Sequence, residues 1–189
     1  FTFLFALKLI FAESKNENND ASRLKTPVLV FFVLLILQIV YGAFTAGYVE
    51  GDDAKIRPGH IFNTWPKMGS EWVAEQVSIK PTFFQNIAEN ASGIQFVHRT
   101  LAVVVVLSLC FIWVRSNKLT LSKQQNLGIT LLIYGVTIQF ILGVLTLIYQ
   151  VPVIMGALHQ SGAFFLFAVS IYLIFHLFHK KRTTVERSI

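Results

Sequence analysis

Two of the five histidines in this sequence stand inside long apolar segments, where an ionisable side chain is costly to bury. Counted from Ser92, His98 lies ~9 Å along one predicted helix, and counted from Pro152, His159 lies ~10 Å along another. Both helices are expected to enter the membrane from the same side, so the two imidazoles share one depth. Such a pair could hold one metal from two sides, as two axial imidazoles hold a heme iron within a helical bundle.

The spacing does not separate heme from other cofactors, and a hydrogen-bonded contact between helices is the alternative for each histidine. No carboxylate lies at that depth in any predicted span, which argues against a di-iron site. His176 and His179 lie ~25–30 Å further along the helix axis than His159, so they are not expected to serve the same metal. His176 and His179 directly precede a basic segment, which is typical of a helix end at the membrane interface. His60 lies in the outer loop, and nothing near it in the sequence indicates a metal ligand.

Arg99 directly follows His98. Its guanidinium could reach the membrane surface as a snorkelling side chain, or pair with a carboxylate of a bound cofactor, for which its fork of donors is suited. The second interpretation depends on the heme that the two histidines suggest. The single cysteine, Cys110, falls within an apolar helix, where we expect a buried residue that forms no disulfide.

The composition indicates the elements that must position these residues. The chain has 189 residues, of which 54% are apolar and 14% charged, whereas a soluble domain carries about 25% charged residues. No Asp, Glu, Lys or Arg occurs from Thr26 to Val49 or from Gln124 to His179. A span needs about 20 apolar residues. The sequence therefore predicts an all-α membrane protein with a four-transmembrane-helix bundle, whose spans cover residues 27–48, 92–114, 127–149 and 152–179.

The remaining segments complete this organisation. Residues 1–12 are expected to be the end of a preceding transmembrane helix, and residues 13–26 a linker on the cytoplasmic or matrix side. An outer loop covers residues 49–91, and residues 180–189 form a basic inner tail. Within the bundle, Ser92 and Gln95 have the S-x-x-Q spacing of a capping box, which predicts a helix start at that point.

The charge distribution predicts the orientation. The formal net charge is +6, and the basic residues gather in segments 13–25, 115–123 and 180–189, whereas the outer loop has six acidic and four basic residues. Basic loops stay on the inner side of a membrane, so we expect these segments inside and the histidine pair toward the outer side. The same bias makes nucleic acid an improbable partner. The membrane would be a bacterial plasma membrane or the mitochondrial inner membrane.

Five sequence runs resemble the heme A synthase family, in the order and on the elements that the family shows. They are GAFTAGYVEG (42–51), FNTWPKMG (62–69), IQFVHRTLA (94–102), LGVLTLIYQVPV (142–153) and ALHQSGA (157–163). The resemblance covers about residues 27–179. It implies that the chain corresponds to the carboxy-terminal half of a pseudo-symmetric eight-helix protein.

The resemblance also implies the roles of residues. His98 and His159 match the axial ligands of heme b. The whole enzyme oxidises a ring methyl of heme O to the formyl group of heme A. The amino-terminal half receives heme O and carries a catalytic glutamate in an E-x-x-H-R pattern. This sequence has Gln95 at that position, and because a neutral amide cannot act as a general base, no catalytic residue is expected in this half.

By the same resemblance, heme O is the substrate of a half absent from this chain. A homo-oligomer, heme O synthase and oxidase-assembly proteins are possible partners. Asn63, Trp65 and Lys67 of the FNTWPKMG run are expected to shape the outer face of the site, although a loop packed for structural reasons explains them equally well.

Three other interpretations remain open from the sequence. The first is a stand-alone cytochrome b-type protein that transfers electrons through two axial histidines. The second is a heme-free transporter or scaffold, in which His98 and His159 are polar contacts between helices. The third is that this bundle stands alone and forms a homodimer, in which a second copy replaces the missing half. The amide of Gln95 argues against this, because such a dimer would lack the glutamate.

Overall fold

The computed structural model describes residues 19–50 and 56–178. The predicted end of a preceding helix (1–12), the start of the linker (13–18), His179 and the basic tail (180–189) lie outside the described residues.

Four long helices make up most of the described chain. They are α1 (Lys25–Gly47), α2 (Ala91–Ser116), α3 (Lys123–Ile148) and α4 (Val153–Phe178). Each is long and apolar enough to cross a bilayer, since 23 to 26 residues at ~1.5 Å each exceed a hydrocarbon core of ~30 Å. The predicted fold class is confirmed: the protein is an integral membrane protein, and its described residues form four helices able to span a membrane and no strand.

The start of α2 differs from the predicted capping box. The side-chain oxygen of Asn90 accepts hydrogen bonds from the backbone N–H groups of Ser92 and Gly93, so Asn90 is the N-cap. Ser92 and Gln95 therefore already lie within the helix, and the capping-box prediction is wrong. The amide of Gln95 donates instead to the carbonyl of Phe62 in the outer loop.

The four helices pack as two antiparallel pairs. The most extensive contacts join α1 to α2 and α3 to α4, and smaller ones join α1 to α4 and α2 to α3. The helices thus follow one another around the bundle, and α2 and α4, which carry the two intramembrane histidines, stand on a diagonal. The short turn between Tyr149 and Pro152, with positive φ at Gln150 and Val151, makes α3 and α4 direct neighbours.

The apolar core fills only one half of the bundle. Its buried side chains come from the first half of α1 and α3 and from the second half of α2 and α4, which is the predicted inner side. They are Val28, Phe31, Leu35, Val105, Leu109, Ile112, Ile129, Leu132, Val136, Leu166, Val169, Leu173 and Leu177, joined by Ala21 and Leu24 from the short 3-10 helix Asn19–Leu24 that precedes α1. The other half, where both histidines lie, contains a cavity.

Cys110 is exposed rather than buried, so that prediction is wrong. It lies with Trp113 along a shallow apolar groove between α2 and α3. An apolar sequence around a residue does not reveal which face of the helix it occupies, and the face of Cys110 points away from the core.

Candidate functional site

The outer half of the bundle encloses a cavity of about 620 Å³, to which all four long helices contribute. Its volume lies within the range of about 300–1,000 Å³ that is typical of small-molecule and cofactor sites. Its walls are mainly apolar, and nine polar residues also line it. These are Gln38, Thr45, Gln95, His98, Arg99, Gln139, Thr146, His159 and Gln160. An apolar chamber with few polar groups suits a flat, largely apolar ligand.

His98 on α2 and His159 on α4 both line this cavity. The Nδ1 atom of each ring is buried and has no hydrogen-bond partner among the described residues. A buried polar atom without a partner is costly, by about 1–3 kcal/mol, and coordination of a metal is one way to satisfy it. The sequence-predicted pair is thus brought to one chamber from opposite corners of the bundle.

The number of potential ligands restricts the kind of metal site. Within residues 19–50 and 56–178, no group of three or more His, Cys, Asp or Glu side chains could hold a metal ion. Two histidines supply two ligands. A metal held by this pair would need its other ligands from elsewhere, as the four ring nitrogens of a porphyrin provide them. The residues therefore fit a heme with two axial imidazoles.

Arg99 is buried at the outer end of the cavity, with 9% of its surface exposed. Its Nη2 atom donates to the carbonyls of Thr64 and Lys67, the latter at 3.0 Å, and its guanidinium carbon lies 5.3 Å from the centroid of the Trp65 ring. The Nη1 atom is buried without a partner among the described residues. Arg99 thus holds the outer loop and keeps one donor group for an anion.

The FNTWPKMG loop closes the outer end of the cavity. The Trp65 ring lines the chamber and contacts Phe140 of α3 edge-on, with 5.5 Å between the ring centroids. The Lys67 ammonium lies 5.8 Å from the centroid of the Trp72 ring, and only its backbone carbonyl reaches Arg99. Asn63 has a buried Oδ1 without a hydrogen-bond partner in the described part of the chain. Of the three loop residues, Trp65 is the one whose side chain lines the cavity.

Gln95 occupies the position of the catalytic glutamate that the resemblance describes, and only 1% of its surface is exposed. Its Nε2 donates to the carbonyl of Phe62 at 3.2 Å, and it lies one turn before Arg99. The side chains of Gln95 and Arg99 therefore hydrogen-bond to backbone carbonyls at the two ends of the loop segment 62–67.

The other described histidines lie apart from the cavity. His60 belongs to a short helix, Pro58–Ile61, and is exposed. The ring of His176 contacts Tyr172 and Phe175 in the last turns of α4, and its backbone carbonyl accepts a hydrogen bond from Gln125. Neither residue lines the chamber.

Sequence reasoning missed several residues that contact the histidines. Gln38 and Gln139 approach them from α1 and α3, and Gly42 and Gly143 lie directly against the imidazole rings. One signal could have revealed them: a glutamine precedes a glycine by four residues in both helices.

Comparisons with known proteins show the family of this chain. Residues 1–171 match the model of the COX15-CtaA family, described as cytochrome oxidase assembly protein. The heme A synthase of Flavobacterium johnsoniae is 38% identical over 179 residues, which cover 94% of this chain and 50% of that protein. The heme A synthase of Wolbachia pipientis wMel is 34% identical over 82% of this chain and 39% of its own length.

A eukaryotic relative shows the same partial coverage. Heme A synthase COX15 of Bos taurus is 31% identical over 75% of this chain and 32% of its own length. The chain spans about half the length of the first two curated relatives, both from Flavobacterium. No solved structure matches it. Its long match to the family model shows that the chain belongs to the cytochrome oxidase assembly protein family.

Proposed function

We propose that this chain is the heme b-binding half of a heme A synthase, with His98 and His159 as the axial ligands of the iron. The observation that carries the proposal is the pair of inward imidazoles on diagonal helices, each with a buried Nδ1 that lacks a partner among the described residues. The contact of Gln38 with Nε2 of His98, at 3.4 Å, is a hydrogen-bonded contact between helices, but it leaves both Nδ1 atoms without a partner among the described residues. The relatives that carry the name heme A synthase support the family function in this proposal.

The residues of this chain would bind and orient the cofactor. The apolar walls would exclude water from the macrocycle, and the Nη1 atom of Arg99 would donate to a propionate carboxylate. Trp65 would cover the outer edge of the ring. A bound heme supplies one-electron redox chemistry, whose potential depends on the axial ligands, burial and nearby charge.

The whole enzyme would oxidise a ring methyl of heme O to the formyl group of heme A. In this proposal heme O binds in the other half, where the family's glutamate stands, because Gln95 cannot take a proton or hold a negative charge. The present bundle would serve that reaction as an electron carrier or as a structural support.

The proposal also includes the surroundings of the protein. By the positive-inside rule, the basic segments would lie inside and the heme side would face the outside of a bacterial plasma membrane or of the mitochondrial inner membrane. A homo-oligomer, heme O synthase and oxidase-assembly proteins are the candidate partners. A second candidate function is a stand-alone cytochrome b-type electron carrier, which is favoured because the described residues that line the cavity include no Asp or Glu.

An assay of heme composition separates these functions. The full-length protein is expressed with a heme O supply, and its hemes are extracted and identified by chromatography for wild type, His98→Ala, His159→Ala and the exposed control His60→Ala. We expect heme b and newly formed heme A in wild type and the control, and loss of heme b in the two site variants. Heme b without heme A formation in wild type would support the electron carrier, and heme b retained in both site variants would overturn the ligand assignment.

A further inference from the structure

The first and third spanning helices carry the same short pattern, which faces a histidine in each case. In α1 and α3 a glutamine is followed by a glycine four residues later and a threonine three residues after that. The residues are Gln38, Gly42 and Thr45 in α1 and Gln139, Gly143 and Thr146 in α3. Both threonine hydroxyls donate to the backbone carbonyl four residues earlier, at 2.8 Å and 2.7 Å. The pattern is thus repeated in sequence and in local geometry.

Each glycine of the pattern lies against an imidazole ring. A Cβ atom added to Gly42 would stand 3.2 Å from Cε1 of His98, and one added to Gly143 would stand 2.8 Å from Cε1 of His159. Real Cβ atoms essentially never approach another atom within 3.0 Å. Any side chain at Gly143 would therefore push the ring of His159 away from α3, and one at Gly42 would crowd the ring of His98.

Each glutamine of the pattern contacts the same histidine that its glycine contacts. The Nε2 atom of Gln38 lies 3.4 Å from Nε2 of His98. Gln139 donates from Nε2 to the backbone carbonyl of His159. Its amide also fills the space beside Gly162, where an added Cβ would stand 2.2 Å from Oε1. Gln38 thus contacts the ring itself, whereas Gln139 contacts the backbone that carries the ring.

We propose that this Gln-x3-Gly-x2-Thr element is a positioning device for the two histidines, and that Gln38, Gly42, Gln139 and Gly143 fix the orientation of the imidazole planes. The proposal rests on the proposed function only in that the rings are taken to bind a heme iron. Groups that contact a metal-bound histidine hold its ring orientation and adjust its donor strength. A ring that is turned or displaced is a weaker axial ligand.

Close helix packing alone is the competing explanation of the glycines, because small residues let spanning helices approach. The chain offers a matched control for it. Gly135 lies in α3 two turns before Gly143, and a Cβ there would stand 2.6 Å from Cδ2 of Leu166 in α4. It therefore has the same kind of close contact with the same helix, but away from the histidine. Gly47 in α1, with nothing within 4 Å of an added Cβ, is the control for Gly42.

The test uses the full-length protein in detergent, with low-spin heme EPR signals and heme b content as readouts. For Gly143→Ala we expect a shifted low-spin signal or an at least twofold loss of heme b, and for Gly42→Ala a smaller change of the same kind. Gly135→Ala and Gly47→Ala should keep the wild-type signal and content. Equal effects in Gly143→Ala and Gly135→Ala would overturn the proposal and leave helix packing as the explanation.

The glutamines are tested by a double-variant cycle. Gly162→Ala should displace the amide of Gln139 and so shift the EPR signal as Gln139→Leu does. The double variant Gly162→Ala/Gln139→Leu should shift the signal no further than either single variant. Additive effects would overturn the assigned contact. His98→Ala and His159→Ala are measured in parallel. If these two variants retain heme b, the proposed function fails. If they lose heme b while the glycine and glutamine variants keep the wild-type EPR signal and heme b content, only the positioning role is overturned.

Discussion

Arg99 and Trp65 form a cation–π contact at the outer end of the cavity, with 5.3 Å between the guanidinium carbon and the ring centroid. Trp65 also contacts Phe140 of α3, so the Arg99–Trp65 pair links α2 to α3. Of the neighbouring helix pairs in the bundle, α2 and α3 have the least extensive direct contact. Arg99 therefore fixes the loop that closes the cavity.

This relationship predicts that Arg99→Lys weakens heme retention, although it keeps the positive charge. A lysine cannot donate to two carbonyls, stack on Trp65 and still offer a donor to a carboxylate. Losing a hydrogen bond from a charged group costs about 1.5–3 kcal/mol, which corresponds to at least a tenfold faster loss of heme b to an apo-protein acceptor. The exposed Arg57→Lys is the control and should release heme at the wild-type rate. A wild-type rate in Arg99→Lys would contradict the role of Arg99.

Gln95→Glu is expected to destabilise the protein. The Nε2 donor of Gln95 would become an oxygen that faces the carbonyl oxygen of Phe62, in a site where only 1% of the residue is exposed. A buried group left without a partner costs about 1–3 kcal/mol, and a charged one costs more. Thermal unfolding in detergent should show a lower midpoint than wild type, whereas the exposed Gln76→Glu should leave it unchanged. An unchanged midpoint for Gln95→Glu would mean that the loop does not depend on this hydrogen bond.

The contacts of Glu50 predict that the stability of the folded protein depends on pH. Its carboxylate accepts hydrogen bonds from the Ala91 backbone N–H, at the first residue of α2, and from Lys80, each at 2.8 Å. Burial alone would raise the pKa of Glu50, but these hydrogen bonds outweigh it and hold the pKa below the usual 4.5. A negative charge near a helix N-terminus stabilises the helix by about 0.3–1 kcal/mol, and the Glu50 carboxylate lies at the N-terminus of α2. This stability is present above pH 4.5 and is lost as the pH falls through the lower folded pKa.

The measurement compares unfolding of wild type, Glu50→Gln and the exposed Glu71→Gln at several pH values. Glu50→Gln should be less stable than wild type near pH 7, and the difference should shrink under acid conditions. A difference that is independent of pH would show that the charge of Glu50 contributes nothing.

Gly93→Ala should disturb the start of α2. An added Cβ would stand 1.8 Å from the backbone carbonyl oxygen of Asn86, which cannot rotate away as a side chain can. The short helix Phe83–Ala88 would have to move, and overpacking of this kind costs about 1–3 kcal/mol. Protease cleavage within the outer loop should accelerate in Gly93→Ala and stay at the wild-type rate in Gly47→Ala. Equal cleavage rates would contradict the close contact.

Much of the fold could be predicted from the sequence because the bilayer imposes strong rules. Long apolar runs, two of them without any charge, predict four spanning helices, and the ends of these helices lie within a few residues of the predicted limits. The capping residue of α2 was missed because Ser92 fits the S-x-x-Q spacing, while Asn90, two residues earlier, makes the actual bonds. Spacing identifies a candidate cap, but only the backbone path decides which side chain reaches the free N–H groups.

The site was predictable only in part, for a similar reason. Depth along a helix follows from counting residues, so His98 and His159 could be matched in advance. Rotation about the helix axis does not follow from an apolar sequence on all sides, and this is why the exposure of Cys110 and the contacts of Gln38 and Gln139 were not foreseen. Contacts between two helices depend on how the pair packs, which no single segment determines.

The measurement that tests the central claim most directly is the coordination state of the bound iron. Resonance Raman spectra of the full-length protein, oxidised and reduced, are recorded for wild type, His98→Ala and His159→Ala. The account predicts a six-coordinate low-spin heme b in wild type, which is lost or becomes five-coordinate and high-spin in each variant. A low-spin heme b signal that persists unchanged in either variant would show that His98 and His159 are not its two axial ligands.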